Sequence, residues 1–163
     1  MKINWKDFGI AYALWFIVVL IMAYLVYNRP NYDLISSLMV YQAVLILDFL
    51  VPLAISHSLL SVMIATGIPL AYYFSRNSPD AKEAALTSFL FGGASFVLLD
   101  LIVTLLITLR GLVLYGTFNL IDVFNFVFMY TIDEWIVMFA IISIASTISG
   151  LIAYFAVSRI LKR

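Results

Sequence analysis

Apolar residues run along this chain in long unbroken blocks, interrupted by short polar breaks. A helix needs ~20 apolar residues to cross ~30 Å of hydrocarbon. Four blocks meet that length: Phe8 to Tyr27, Pro52 to Phe74, Leu86 to Leu109 and Trp135 to Val157. Two further blocks, Leu34 to Leu50 and Leu112 to Tyr130, are apolar but carry acids and amides. The pattern predicts an all-α, polytopic transmembrane helical bundle. It has four firm crossings plus two apolar helices that either cross, giving six, or are re-entrant or interfacial.

The breaks have their own chemistry. Asn28-Arg29-Pro30-Asn31 ends the first block, because proline and asparagine favour turns. Its apolar run exceeds that of a leader peptide, and no small-residue cleavage site follows, so a retained first helix is expected. The polar stretch Ser75 to Glu83 divides the chain in the middle. Within it, Ser78-Pro79-Asp80 reads as a helix start, with serine as cap and proline in the first turn. The chain is expected to be one membrane domain, 1–163. A two-fold repeat (1–76 and 84–163, joined by 77–83) is hinted at by a shift of 83 residues, which lays Gly67 to Arg76 over Gly150 to Arg159.

Composition sharpens this. With 65% hydrophobic and 11% charged residues, the chain lacks the polar surface a water-soluble globule requires. Nine basic and nine acidic residues cancel, so nothing argues for nucleic acid. The absence of cysteine excludes disulfides and thiolate metal centres, and one histidine cannot supply a haem pair. No cofactor and no metal are expected. The serines lack a histidine partner at any telling spacing, so no enzyme is expected either.

Basic residues orient the spans. With four crossings and the N-terminus inside, Lys2, Lys6, Arg76, Lys82, Arg159, Lys162 and Arg163 lie inside, against Arg29 and Arg110 outside, a count of 7 to 2. Six crossings give 6 to 3. Both arrangements predict an integral membrane protein with its N- and C-termini in the cytoplasm.

Few residues can carry chemistry. Asp100 is the sharpest, an aspartate inside Leu86–Leu109 that costs roughly 2.5–3.5 kcal/mol on insertion scales and so requires a protein or water environment. By helical spacing Thr104 shares its side. Asp48, one turn before Pro52, and Asp122, flanked by Asn119 and Asn125, come next. His57, in Ser56-His57-Ser58, is a further candidate proton carrier. Each has a structural alternative: Asp100 as a hydrogen-bonded tie between helices, Asp48 as a cap, Asp122 on an interfacial face, His57 as a bonded side chain. The last block carries small residues at helical spacing, Ala145-Ser149-Ala153 and Ser146-Gly150, and Gly92-Gly93 lies on its predecessor. Small-xxx-small spacing lets backbones approach closely. Such a seam closes the bundle or docks another subunit. The aromatics read mainly as lipid-facing or belt residues.

Two functions fit. The first is a non-catalytic accessory subunit packed within a larger membrane complex, its partners being the bilayer and other membrane subunits or a second copy. The alternative is a proton- or cation-coupled transporter or channel subunit with Asp100 central.

Overall fold

A computed structural model of the chain describes residues 4–27, 36–38, 40–41, 55–115 and 132–161. Every described residue except 4 and 78–80 is helical, with no strand among them. The long helices are α1 (Trp5–Tyr27), α2 (Ile55–Asn77), α3 (Ala81–Tyr115) and α4 (Ile132–Leu161). Three contain stretches long and apolar enough to cross a membrane: Trp5–Leu25, Ala81–Arg110 and Trp135–Ile160. The two doubtful blocks, 34–50 and 112–130, lie mostly outside the described residues.

Local chemistry fixes the helix ends. Asn4 caps α1: its side chain bonds the Asp7 carboxylate at 2.8 Å, and its carbonyl accepts the Phe8 amide at 2.9 Å. α3 is capped by Asp80, not Ser78, because the Asp80 carboxylate accepts the Glu83 amide at 2.7 Å. Ser78 instead closes α2. Its amide donates to the Phe74 carbonyl at 3.1 Å, and its φ of 41° places it in the left-handed region where helices end. α3 also runs through Arg110 and Gly111 to Tyr115, past the predicted end at Leu109. No proline interrupts that stretch, and one glycine in a helix costs only about 1 kcal/mol.

The helices alternate in direction. The Asn77 side chain at the end of α2 donates to Asp7 at the start of α1 over 3.1 Å. Phe74 meets Tyr154, near the end of α4, with ring centroids 6.1 Å apart. Gly92 faces Ser146 whereas Phe96 meets Trp135, so α3 and α4 run antiparallel. One end of the bundle therefore gathers the start of α1, the 78–80 turn and the end of α4, with Lys6, Arg76, Lys82 and Arg159 all exposed. Arg110 lies toward the other end, where its guanidinium donates to the Ser36 hydroxyl at 2.9 Å.

Packing is inverted relative to a soluble bundle. On α4 the outward residues include Ile136, Ile144, Ile148 and Ile152, whereas Ser143, Ser146, Ser149 and Gly150 are buried. On α3, Leu98, Leu101, Leu105 and Leu109 face out, and Thr87, Ser88, Ser95 and Asp100 face in. Water gives no reason to expose such ridges; lipid does, because hydroxyls and carboxyls in hydrocarbon must find partners inside. The chain is an integral membrane protein by this construction. Several aromatics depart from the belt reading: Trp15, Tyr73, Phe74, Phe91 and Phe96 are buried between helices. Between lipid-facing ridges, large rings fill the volume that small serine and glycine contacts leave open.

Candidate functional site

The small residues of α3 and α4 position everything else. A methyl group on Gly92 would collide with the Ser146 side chain, and one on Gly150 with Ser88. Gly93 lies under the Phe139 ring and beside the Ser143 hydroxyl. Ala145 and Ala153 are buried. Serine hydroxyls then cross the gap to main-chain carbonyls: Ser146 to Ser88 at 2.8 Å and Ser149 to Met63 at 2.6 Å. Gly67 of α2 adds a partner that sequence spacing had not singled out, packing against Ser149. These contacts bind α4 to both α3 and α2, and they occupy the seam within the bundle.

Where the seam opens, a cavity of about 30 Å³ remains. Asp100 lines it and is 9% exposed. α1 contributes Trp15 and Val19, α2 contributes Val62, Ala65 and Thr66, α4 contributes Ile142, and Tyr41 closes it from the 40–41 segment. A site of roughly 10–15 Å³ holds one water if polar partners are present. This volume admits one or two waters, and it is too small for a cation with its hydration shell.

The polar groups around the carboxyl differ in their commitments. Asp100 makes a polar contact within the bundle. The Thr66 hydroxyl donates to the Val62 carbonyl at 2.9 Å, and the Tyr41 and Ser61 hydroxyls share a 2.8 Å bond. The Tyr12 hydroxyl donates to the Phe91 carbonyl at 3.1 Å and neighbours Ser95. Ser95 itself, 2% exposed and in the cavity wall, completes no hydrogen bond, and neither does the buried Thr104 Oγ1 one turn beyond Asp100. Pro69, buried inside α2, has no amide hydrogen, so the Ala65 carbonyl in the cavity wall lacks its helical donor.

Of the candidates drawn from the sequence, Asp100 and Thr104 therefore lie at or beside the cavity. Asp48, Asp122 and the side chain of His57 lie outside the described residues. The sequence pointed to Asp100 through its charge. It gave no comparable signal for Ser95 or Thr66, since a lone hydroxyl in an apolar span is common and only the tertiary arrangement puts it in the wall of a cavity that a carboxyl also lines. Among the described residues no cluster of acids and histidines could hold a metal ion. Comparison with protein-family models, with curated proteins and with solved structures found no match for the chain.

Proposed function

We propose that this chain crosses the membrane four times and works as a proton-coupled transporter or channel subunit, with Asp100 as its proton-binding group. The observation that carries the reading is the cavity at Asp100, lined from all four long helices and by Tyr41, with the unbonded Ser95 hydroxyl in its wall. An aspartate in a membrane span is costly unless it is used or tied down. The small cavity volume favours a proton, or a water that carries one, over a hydrated cation. Four crossings agree with the alternating helix directions, in which α1 ends and α2 begins at the same end of the bundle, as do the end of α3 and the start of α4. The end bearing Lys6, Arg76, Lys82 and Arg159 is assigned to the cytoplasm by its positive charge.

The test is proton flux in liposomes containing the purified protein and a lumenal pH dye, driven by an imposed potential. Asp100→Asn is expected to abolish flux and Asp100→Glu to retain part of it. Flux that is unchanged in Asp100→Asn removes the carboxyl from the mechanism.

A second reading, the accessory subunit, is favoured by one observation. Toward the basic end the cavity is closed by packed rings, with Tyr12 stacked on Phe91 at 4.4 Å, and Phe8 edge-on to both Phe91 and Tyr73 at 5.7 Å. A chain with a proton site but no passage past those rings would need a partner subunit to complete the path. Isolation from native membranes with a stoichiometric partner, and flux only in that complex, would favour this reading.

A further inference from the structure

α1 packs on α2 and reaches α3 through aromatic rings. Tyr12 stacks on Phe91 and its hydroxyl donates to the Phe91 carbonyl at 3.1 Å, while Phe8 meets the same ring edge-on. Past Phe91 the two helices leave an open groove of about 420 Å³ between them. Phe8 and Tyr12 form one wall, and Ala94, Val97, Leu98 and Leu101 form the other. Of these six side chains only Tyr12 carries a polar atom, and that hydroxyl is committed to the Phe91 carbonyl. The groove therefore presents carbon alone. Ala94, Leu98 and Leu101 are exposed, on the outward face of α3 that meets lipid.

Depth and size decide what fits there. Trp5, at the start of α1, is 73% exposed, as an interfacial tryptophan is. Phe8 and Tyr12 lie about one and two turns deeper. On α3 the lining runs from Ala94 to Leu101, about 10 Å of helix. The chains of one leaflet cover about half of a ~30 Å hydrocarbon core, or ~15 Å. The groove matches part of one such chain. A ~10 Å length of transmembrane helix, about 10–12 Å across, fills roughly 800–1,100 Å³ and does not fit. A second copy of this chain would need far more surface than six side chains, since a stable interface takes about 20–30 residues a side. Left unfilled, the rings and leucines of the walls would forgo dispersion contacts on one side.

We propose that this groove seats one acyl chain of a phospholipid from the leaflet at the basic end, and that the bound chain fastens α1 to α3 beside the Tyr12–Phe91 contact. Polarity carries the choice of ligand. The walls are carbon throughout, and Lys6, the basic residue of α1, is exposed next to Trp5 at the depth of a headgroup phosphate. A tail gains nothing hydrophobic by leaving the bilayer for the groove, so van der Waals packing against the rings must retain it, as such packing retains helices in membranes. The site shares no lining residue with the Asp100 cavity, so it stands whether or not Asp100 binds a proton.

The experiment uses the full chain in vesicles of phosphatidylcholine and phosphatidylglycerol. They contain a trace of phosphatidylcholine with a photoactivatable diazirine midway along one acyl chain. After illumination, labelled residues are located by mass spectrometry of peptides. Label is expected to concentrate on Tyr12 and on Ala94 to Leu101, several-fold above the outward ridge Ile144, Ile148 and Ile152 of α4, which serves as ordinary boundary surface. Ala94→Phe points a ring into the groove and should cut labelling there several-fold, whereas the Ile148→Phe control, also on a lipid-facing surface, should leave it unchanged. In detergent, adding phospholipid should raise the melting temperature of the native chain more than that of Ala94→Phe. Label spread evenly over the groove and the α4 ridge, or groove labelling undiminished in Ala94→Phe, overturns the site and leaves boundary lipid only. A groove that takes no label, or that crosslinks to a second copy, overturns it by showing a different occupant. The label distribution is read on the native chain, so the outcome does not depend on how the variants fold.

Discussion

Ser146 and Ser88 face each other across the α3–α4 seam in a reciprocal arrangement. The Ser146 hydroxyl donates to the Ser88 carbonyl at 2.8 Å while its Cβ packs on Gly92, and the Ser88 side chain packs on Gly150. Each serine fills the space that the other helix's glycine leaves. In lipid there is little hydrophobic gain from bringing helices together, so close backbone approach and hydroxyl bonds must hold them.

Gly150→Ala is expected to destabilise the bundle by about 1–3 kcal/mol, because the new methyl meets Ser88 and Leu70 in a filled layer. Gly9→Ala is the contrast. Nothing lies within 4 Å of a methyl there, and alanine favours a helix over glycine by roughly 0.5–1 kcal/mol. Thermal denaturation in detergent of the two variants should move in opposite directions. Equal losses would mean that the seam is looser than these contacts.

Ser146→Ala keeps the packing and removes only the hydroxyl. Interhelical hydrogen bonds in membranes are worth about 0.6 kcal/mol on average. The loss should therefore be smaller than for Gly150→Ala, and Ser146→Leu, which intrudes on Gly92, should exceed both. That ranking is readable in the same denaturation series.

Ser78 holds a left-handed φ of 41° at the end of α2, in an exposed turn. A side chain in that conformation costs roughly 1–2 kcal/mol, which glycine avoids. Ser78→Gly is expected to raise stability by up to about 1 kcal/mol after its greater unfolded-state freedom is counted. A lower melting temperature in this variant would contradict the assigned backbone.

The Asn77–Asp7 bond ties the start of α1 to the end of α2 at 3.1 Å, partly exposed. A double-mutant cycle on Asn77→Ala and Asp7→Ala should give a coupling of about 0.5–1.5 kcal/mol. A coupling near zero would mean that α1 is held by its apolar stripe, Ala11, Trp15, Val19 and Ala23, alone.

Cysteines placed at Ala81 and Ser158 should react with an impermeant thiol reagent from the same side of the membrane, since the 78–80 turn and the end of α4 share one end of the bundle. Reaction from opposite sides would be incompatible with the alternating helix directions.

The apolar blocks of the sequence determined that this is a helical membrane protein, because lipid admits only segments that satisfy their own backbone bonds. Three of the blocks reappear as helices that can cross, and the lone internal aspartate of α3 was legible from its cost. The chain alone could not say which way each helix runs. Span length is the same in either direction, and loop charge separates four crossings from six by only one or two residues. Nor could it distinguish Asn4 and Asp80, which cap helices, from Ser78, which ends one. The tertiary structure decided what Asp100 faces. Whether a buried carboxyl meets a filled layer or a cavity depends on where glycines on one helix meet serines on another, and that registration comes from packing between segments far apart in sequence. The small residues that close the α3–α4 seam leave a gap beside Asp100, in whose wall Ser95 and Thr66 also lie.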